Sequence, residues 1–345
     1  MLLEGIFAAV PTPFYPDERV YYRKLEANIA HYSRTLLSGV LLLGTTGEAV
    51  MLDDAESREV LRVAAGVASP EKVLIAGLAR ESVKATVEMA EAAAGFGYDV
   101  ALVRTPSYLA GQRTAAAVLH YFRSVADRSP LPLLLYNIPQ CVPYNIPVEL
   151  VAELAQHANI LGIKDSSGSV ERIAALAAGT RDAARRTVTV TPVFEAVTGR
   201  MLKPEPEIGE SLVTIGGEAA QAHVAPLKTR TKEVGFQVLS GSTATLLESL
   251  EAGANGAILG FAACAPQACQ EVYLAWKDRD RTLAAEKQQR IVQASRRIVG
   301  ELGISGVKYA CDFNGYYGGR ARAPLTALCS DEKAEIEALL ALIRS

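Results

Sequence analysis

The sequence predicts an α/β protein: a (β/α)8 barrel with a C-terminal helical segment and an insertion between its sixth helix and seventh strand. Three observations lead there. Short apolar or β-branched runs bounded by Gly, Pro or polar residues alternate with longer stretches of helical period. There are eight such runs, enough to close a parallel barrel, and they are almost continuously apolar, as strands covered on both faces must be. The dinucleotide fingerprint G-x-G-x-x-G is absent after the first run, which ranks a doubly wound sheet second.

In chain order the runs are GIFAAV (5–10), VLLLG (40–44), VLIAG (73–77), DVALVR (99–104), PLLLY (132–136), ILGIK (160–164), FQVLS (236–240) and GAILG (256–260). Amphipathic stretches lie between them, such as 54–68, opened by Asp53 or Asp54, and 82–95, opened by Ser82. The starts of the sixth and seventh runs are about 76 residues apart, far beyond the usual βα repeat, which marks 182–233 as inserted. Within it TVTVTPVFEAVTGRML (187–202) reads as a small hairpin turning at Thr198-Gly199. Following a helix, the insertion should emerge at the N-terminal face, opposite the usual active site, and serve stability or subunit contact. Helical segments at 266–277, 282–302 and 331–343 follow the last run. The organisation expected is a catalytic barrel over 1–265, with 182–233 inserted, and a helical segment over 266–345.

The chain has 345 residues, 35 basic and 38 acidic, for a net charge of -3. No run of like charge favours a nucleic acid or a membrane surface, so a small molecule is the expected ligand. Cys141, Cys264, Cys269, Cys311 and Cys329 form no disulfide pattern and no C-x-x-C pair, as in a reducing cytoplasm. No stretch approaches the ~20 apolar residues of a membrane span, and the N-terminus lacks a basic leader region. His31, His120, His157 and His223 lie apart with no ligand spacing, so neither a metal nor another cofactor is expected.

Catalytic groups of such a barrel come from the C-terminal ends of its strands. Lys164 closes the sixth run. Burial at a barrel mouth disfavours an ammonium, and a free amine attacks a ketone to form a Schiff base. The plainer alternative is that Lys164 reaches solvent or pairs with Asp165. Tyr136 closes the adjacent fifth run, placing a phenol where it can move protons for that lysine. After the second run, Gly44-Thr45-Thr46-Gly47 brings hydroxyls and backbone N–H groups suited to a proton relay and a carboxylate. Tyr108 adds a phenol after the fourth run, although a single tyrosine there more often packs. Arg104 ends the fourth run where an aliphatic residue would be the plain choice; it either faces a helix or subunit interface or is a candidate for a second carboxylate.

GTTGE, TPSY, YNIP and GIKDSSG, in this order on the second, fourth, fifth and sixth runs, resemble the dihydrodipicolinate synthase and N-acetylneuraminate lyase superfamily of pyruvate-dependent class I aldolases. The resemblance covers residue 5 to about 328 apart from the insertion. It implies Lys164 as Schiff-base lysine, Tyr136 as proton-transfer tyrosine, Thr45 as relay hydroxyl and Thr46 as carboxylate ligand. It implies a backbone group of Ile258 near the 2-oxo acid. Tyr108 would match the tyrosine that members lend across a dimer interface, hence a homodimer or homotetramer. Dihydrodipicolinate synthases carry an arginine two residues after YNxP for the aldehyde's carboxylate, where this chain has Cys141. Lys164-Asp165-Ser166, with Ser166 a candidate substrate contact, ATVEM (85–89), NGYYGG (314–319) and RAPL (322–325) resemble 4-hydroxy-2-oxoglutarate aldolases. Those enzymes tend to have Ser-Asn at Thr45-Thr46, and sugar-acid aldolases also carry KDSSG-like segments. The expected activity is therefore cleavage of 4-hydroxy-2-oxoglutarate to pyruvate and glyoxylate. The alternatives are dihydrodipicolinate synthesis, 2-keto-3-deoxy sugar-acid cleavage, or a silent ketoacid-binding scaffold.

Overall fold

The computed structural model describes residues 1–202 and 227–344. Six strands, β1 (Gly5–Ala9), β2 (Gly39–Leu42), β3 (Val73–Gly77), β4 (Val100–Arg104), β5 (Leu133–Asn137) and β6 (Ile160–Asp165), precede the insertion. The insertion contributes β7 (Arg186–Val190) and β8 (Arg230–Val234), and β9 (Gln237–Ser240) and β10 (Gly256–Leu259) follow it. All but β7 and β8 form one closed parallel barrel, with β1 hydrogen-bonded to both β2 and β10. Alternate residues explain the unbroken apolar runs: Phe7, Leu41, Ile75 and Leu134 pack inside the barrel, while Ile6, Leu42, Leu74 and Leu135 pack outward under the helices.

Local signals set the helix starts. α1 is Tyr22–Ser33. α2 (Asp54–Val67) begins with a capping box in which Asp53 and Glu56 each accept from the other's backbone N–H. α3 (Val83–Phe96) is capped by Ser82 and stopped by Gly97 at φ +90°. α4 (Ala115–Arg128), α5 (Val148–Leu154), α6 (Val170–Gly179) and α7 (Leu246–Glu251) complete the ring. The C-terminal segment holds α8 (Pro266–Lys277), α9 (Arg281–Ser295), α10 (Gly303–Phe313) and α11 (Ser330–Arg344). The helical pattern over 282–302 does not run through. It widens into a π-helical turn at Arg296–Glu301, and α10 starts at Gly303, whose φ is +62°. A side chain at Gly306 would meet the Ile298 carbonyl at 2.5 Å, so only glycine allows this close packing. None of the described helices is long and apolar enough to cross a membrane.

The hairpin expected within 187–202 takes another form. β7 pairs antiparallel with β8, from beyond the undescribed 203–226. The local turn falls earlier than Thr198-Gly199, where Phe194 at φ +64° lets the Phe194 N–H donate to the Thr191 carbonyl at 2.9 Å. Thr198 instead docks on the barrel, donating to the Pro70 carbonyl at 2.5 Å, while the Gly199 N–H reaches Asp99. Arg200 donates to the carbonyls of Ala68 and Lys72, and Arg186 to those of His157 and Ile160. These carbonyls lie at the N-terminal ends of β3 and β6, so this part of the insertion covers the face away from the strand ends that carry Tyr136 and Lys164.

Arg200→Ala should therefore lower unfolding free energy by about 2 kcal/mol, since it removes the donors to the Ala68 and Lys72 carbonyls and the cation beside the buried Asp99 carboxylate. Denaturant titration checks this: Asp99→Asn should recover part of the loss, and turnover per folded molecule should not change.

Candidate active site

Register decides what meets at the C-terminal rim. Residues paired across parallel strands point to the same face, and Arg104 pairs with Tyr136, which pairs with Lys164. Leu102 and Leu134, two residues earlier, are inside the barrel, so Arg104 and Tyr136 continue the inward series. The Lys164 Nζ lies 4.3 Å from the centroid of the Tyr136 ring. Lys164 is 4% exposed, and no carboxylate or hydrogen-bond acceptor touches its amine among the described residues. Asp165 points the other way. Its carboxylate accepts from Arg172 at 2.6 Å and Asn137 at 2.8 Å, which removes it as a partner for the lysine.

The turn after β2 brings the next group. The Thr45 Oγ1 and Tyr136 Oη are 3.3 Å apart, with either able to donate. Leu43 and Glu48 flank the turn, both at φ +55°, a costly conformation for a residue with a side chain. A Cβ at Gly77 would lie 2.0 Å from the Leu43 carbonyl, so that strained approach requires glycine on β3. The N–H groups of Thr45 and Thr46 have no acceptor among the described residues, leaving two donors side by side. Thr46 lies against the end of β10, where a Cβ on Gly260 would be 3.2 Å from its hydroxyl.

A buried ion pair holds the strained turn. The Glu48 Oε1 contacts the Lys308 Nζ at 2.5 Å, with both side chains essentially inaccessible. Lys308 also donates to the Arg320 carbonyl at 2.7 Å, and the Arg322 N–H donates to the Glu48 Oε2 at 2.8 Å. Burial pushes the Lys308 amine below its ordinary pKa, and the Glu48 carboxylate opposes that shift. The Arg322 guanidinium donates to both oxygens of Glu56. Little in the sequence announces this support. Its one visible signal was a lysine inside the apolar stretch GISGVKYAC.

A cavity of about 550 Å³ opens over the rim, walled in part by Gly44, Thr45, Tyr136, Arg104, Tyr108 and Cys141. Lys164 is not itself in the wall; the ring against its amine is. Thr46 lines a neighbouring cavity of about 560 Å³ beside the C-terminal helices, which shares Thr45, Cys141 and Ile304 with the first. Ser166 and Ile258 line neither. Ser166 packs on Gly241, and its carbonyl accepts from Gln140 at 2.7 Å, while Ile258 is fully buried in the barrel interior. Tyr108 is 86% exposed, its backbone N–H donating to Glu81 at 3.0 Å. Arg104 is engaged by the same Glu81 at 3.0 Å and by the Thr105 carbonyl at 2.9 Å. Burial pushes the Cys141 thiol up against the opposing charges of Arg104 and Lys164, which keeps it protonated. His31, His120 and His157 are apart, and no cluster of three His, Cys, Asp or Glu side chains suited to a metal occurs among the described residues; His223 lies outside them.

The closed barrel is that of a carbon–carbon lyase of the aldolase type, as comparison with known proteins shows. The model of the dihydrodipicolinate synthetase family matches residues 2–185 and 215–343, and the chain belongs to that family. Residues 186–214, in the insertion, fall outside the match. The chain is 27% identical to a 4-hydroxy-tetrahydrodipicolinate synthase of Acidiphilium cryptum, over 98% of either chain. It is 29% identical to the L-threo-3-deoxy-hexylosonate aldolase of Hypocrea jecorina, over 97% of this chain and 93% of that one. Among solved structures it resembles a chloride-inhibited dihydrodipicolinate synthase of Acinetobacter baumannii in complex with pyruvate, with TM-score 0.78 and 25% identity over 99% of both chains. A dihydrodipicolinate synthase of Bacillus anthracis gives TM-score 0.79 at 21% identity, over 99% of both chains.

Lys308→Met should destabilise the protein by roughly 3 to 5 kcal/mol by stranding the Glu48 carboxylate, whereas Glu48→Gln with Lys308→Met should cost less than Lys308→Met alone. Denaturant unfolding of the two variants measures the difference.

Proposed function

We propose that the protein is a class I aldolase that forms an imine between Lys164 and the ketone of pyruvate or a 4-hydroxy-2-oxo acid. The observation that carries this reading is the buried, carboxylate-free amine against the Tyr136 ring, with the Tyr136 hydroxyl in contact with Thr45. The substrate carboxylate would take the N–H groups of Thr45 and Thr46 and a threonine hydroxyl. The Lys164 amine adds to C2, water leaves, and the cationic imine becomes an electron sink. In the cleavage direction the C4 hydroxyl gives its proton to the Tyr136–Thr45 pair as the C3–C4 bond breaks and its electrons enter the imine. The aldehyde departs, the resulting enamine takes a proton at C3, and water releases pyruvate and restores the lysine.

Several 4-hydroxy-2-oxo acids satisfy this chemistry. 4-Hydroxy-2-oxoglutarate would yield glyoxylate, and a 3-deoxy-hexulosonate would yield a three-carbon hydroxyaldehyde. In dihydrodipicolinate synthesis the same enamine would attack an aldehyde bearing a carboxylate, but Cys141 offers that carboxylate no charge. Exposed Tyr108 and Leu109 support the reading that a second copy covers this rim, making the enzyme a homodimer or homotetramer.

Borohydride reduction in the presence of pyruvate should add a three-carbon fragment to the Lys164 peptide and abolish turnover, as read by peptide mass spectrometry. Tyr136→Phe should keep the fold and lower kcat by about 10²- to 10⁴-fold. A folded protein whose Lys164 stays unmodified would falsify the imine mechanism.

A further inference from the structure

Resting on the imine reading, we infer that the Glu81–Arg104 pair selects an uncharged, hydroxylated aldehyde as second substrate and rejects one that carries a carboxylate. Arg104 lies in the inward series of β4, paired in register with Tyr136, and lines the cavity with Glu81 and Ser107. Its charge is already used. One terminal nitrogen donates to Glu81 at 3.0 Å, and the other donates to the Thr105 carbonyl at 2.9 Å and lies 3.3 Å from the Ser107 hydroxyl.

The other charges of the wall are matched in the same way. Arg80 is paired with Asp54 at 2.9 Å and bonded to Ser57 at 3.2 Å, and Glu48 is paired with Lys308. Among the described residues, then, no cation of the cavity wall lacks an acidic partner. The amine of Lys164 is consumed by the imine, and the Thr45 and Thr46 N–H groups are taken by the first carboxylate. A second carboxylate entering here would lose its water, gain no free cation and face the Glu81 carboxylate, an arrangement that works against it. Hydroxyl groups fare better. They can donate to Glu81, whose side chain is 45% exposed, and accept from Arg104 or from the Ser107 hydroxyl.

Glu81 has a second task, because its carboxylate also accepts the backbone N–H groups of Ser107 and Tyr108 at 2.8 and 3.0 Å. The test has to separate charge selection from loop support. Condensation of pyruvate with glyceraldehyde, glyoxylate or propanal gives kcat/KM for a hydroxylated, a carboxylated and a plain aldehyde. The native enzyme should prefer glyceraldehyde to both others by about tenfold or more. Glu81→Gln keeps an acceptor for the loop and frees the Arg104 charge, so it should shift the glyoxylate-to-glyceraldehyde ratio about tenfold towards glyoxylate. Adding Arg104→Met should cancel that shift. Native preference for glyoxylate, an unchanged ratio in Glu81→Gln, or a shift that survives Arg104→Met overturns the proposal. Borohydride trapping with pyruvate alone is run on each variant. Loss of the adduct in the native protein defeats the imine reading, whereas a normal adduct with an unchanged ratio defeats only the assignment to Glu81 and Arg104.

Discussion

The contact between Glu48 and Lys308 joins the parts of this molecule that chemistry requires to be joined. It links the turn after β2, which presents Thr45 and Thr46, to α10 in the segment beyond the barrel. An ion pair with both side chains this buried is weak evidence for stability, because desolvating the charges costs about as much as their attraction returns. Its value is in position. Glu48 is held at φ +55°, and the carboxylate reaches Lys308 with one oxygen and the Arg322 backbone with the other. The C-terminal helices are thereby a structural member of the site, fixing a turn whose own backbone is under strain.

The same turn shows why a glycine on the adjacent strand matters. Leu43 brings its carbonyl so close to β3 that only Gly77 fits, and Thr45, whose hydroxyl meets Tyr136, lies two residues further along the same turn. Strain at Leu43 and Glu48 is the kind that persists only when surroundings over-determine it, here Gly77 on one side and Lys308 on the other.

The barrel was legible in the sequence because its strands are short, apolar on both faces and regularly spaced, and because Asp53 and Ser82 mark helix starts by chemistry that acts within four residues. Lys164, Tyr136 and Thr45 were legible because they terminate such runs, and the structure brings these three together. What the sequence did not show depends on long-range pairing. Val188 alternates with polar neighbours as any strand would, and nothing local says that its partner lies beyond residue 226. Lys308 is separated from Glu48 by some 260 positions, and Glu81 from Arg104 by a whole βα unit. Arg104 read alone is a free cation, but read with Glu81 it is half of a neutral pair.

A single irregularity in the β5–β6 ladder makes the lysine and tyrosine meet. Leu133 pairs with Ile160, but Leu134 pairs with Gly162, so β6 spends one extra residue at Leu161. Without that bulge the count from Leu133 would bring Tyr136 opposite Ile163, which would take the inward place that Lys164 now holds. Because side chains alternate, a slip of one residue would also turn Asp165 into the barrel and Lys164 out of it. Gly162 makes the correct register possible, since a Cβ there would lie 2.0 Å from the Gln237 carbonyl on β9. The motif GIKDSSG thus carries two kinds of information. Its lysine supplies the amine, and its first glycine lets the strand lie close enough to β9 for that amine to point inward.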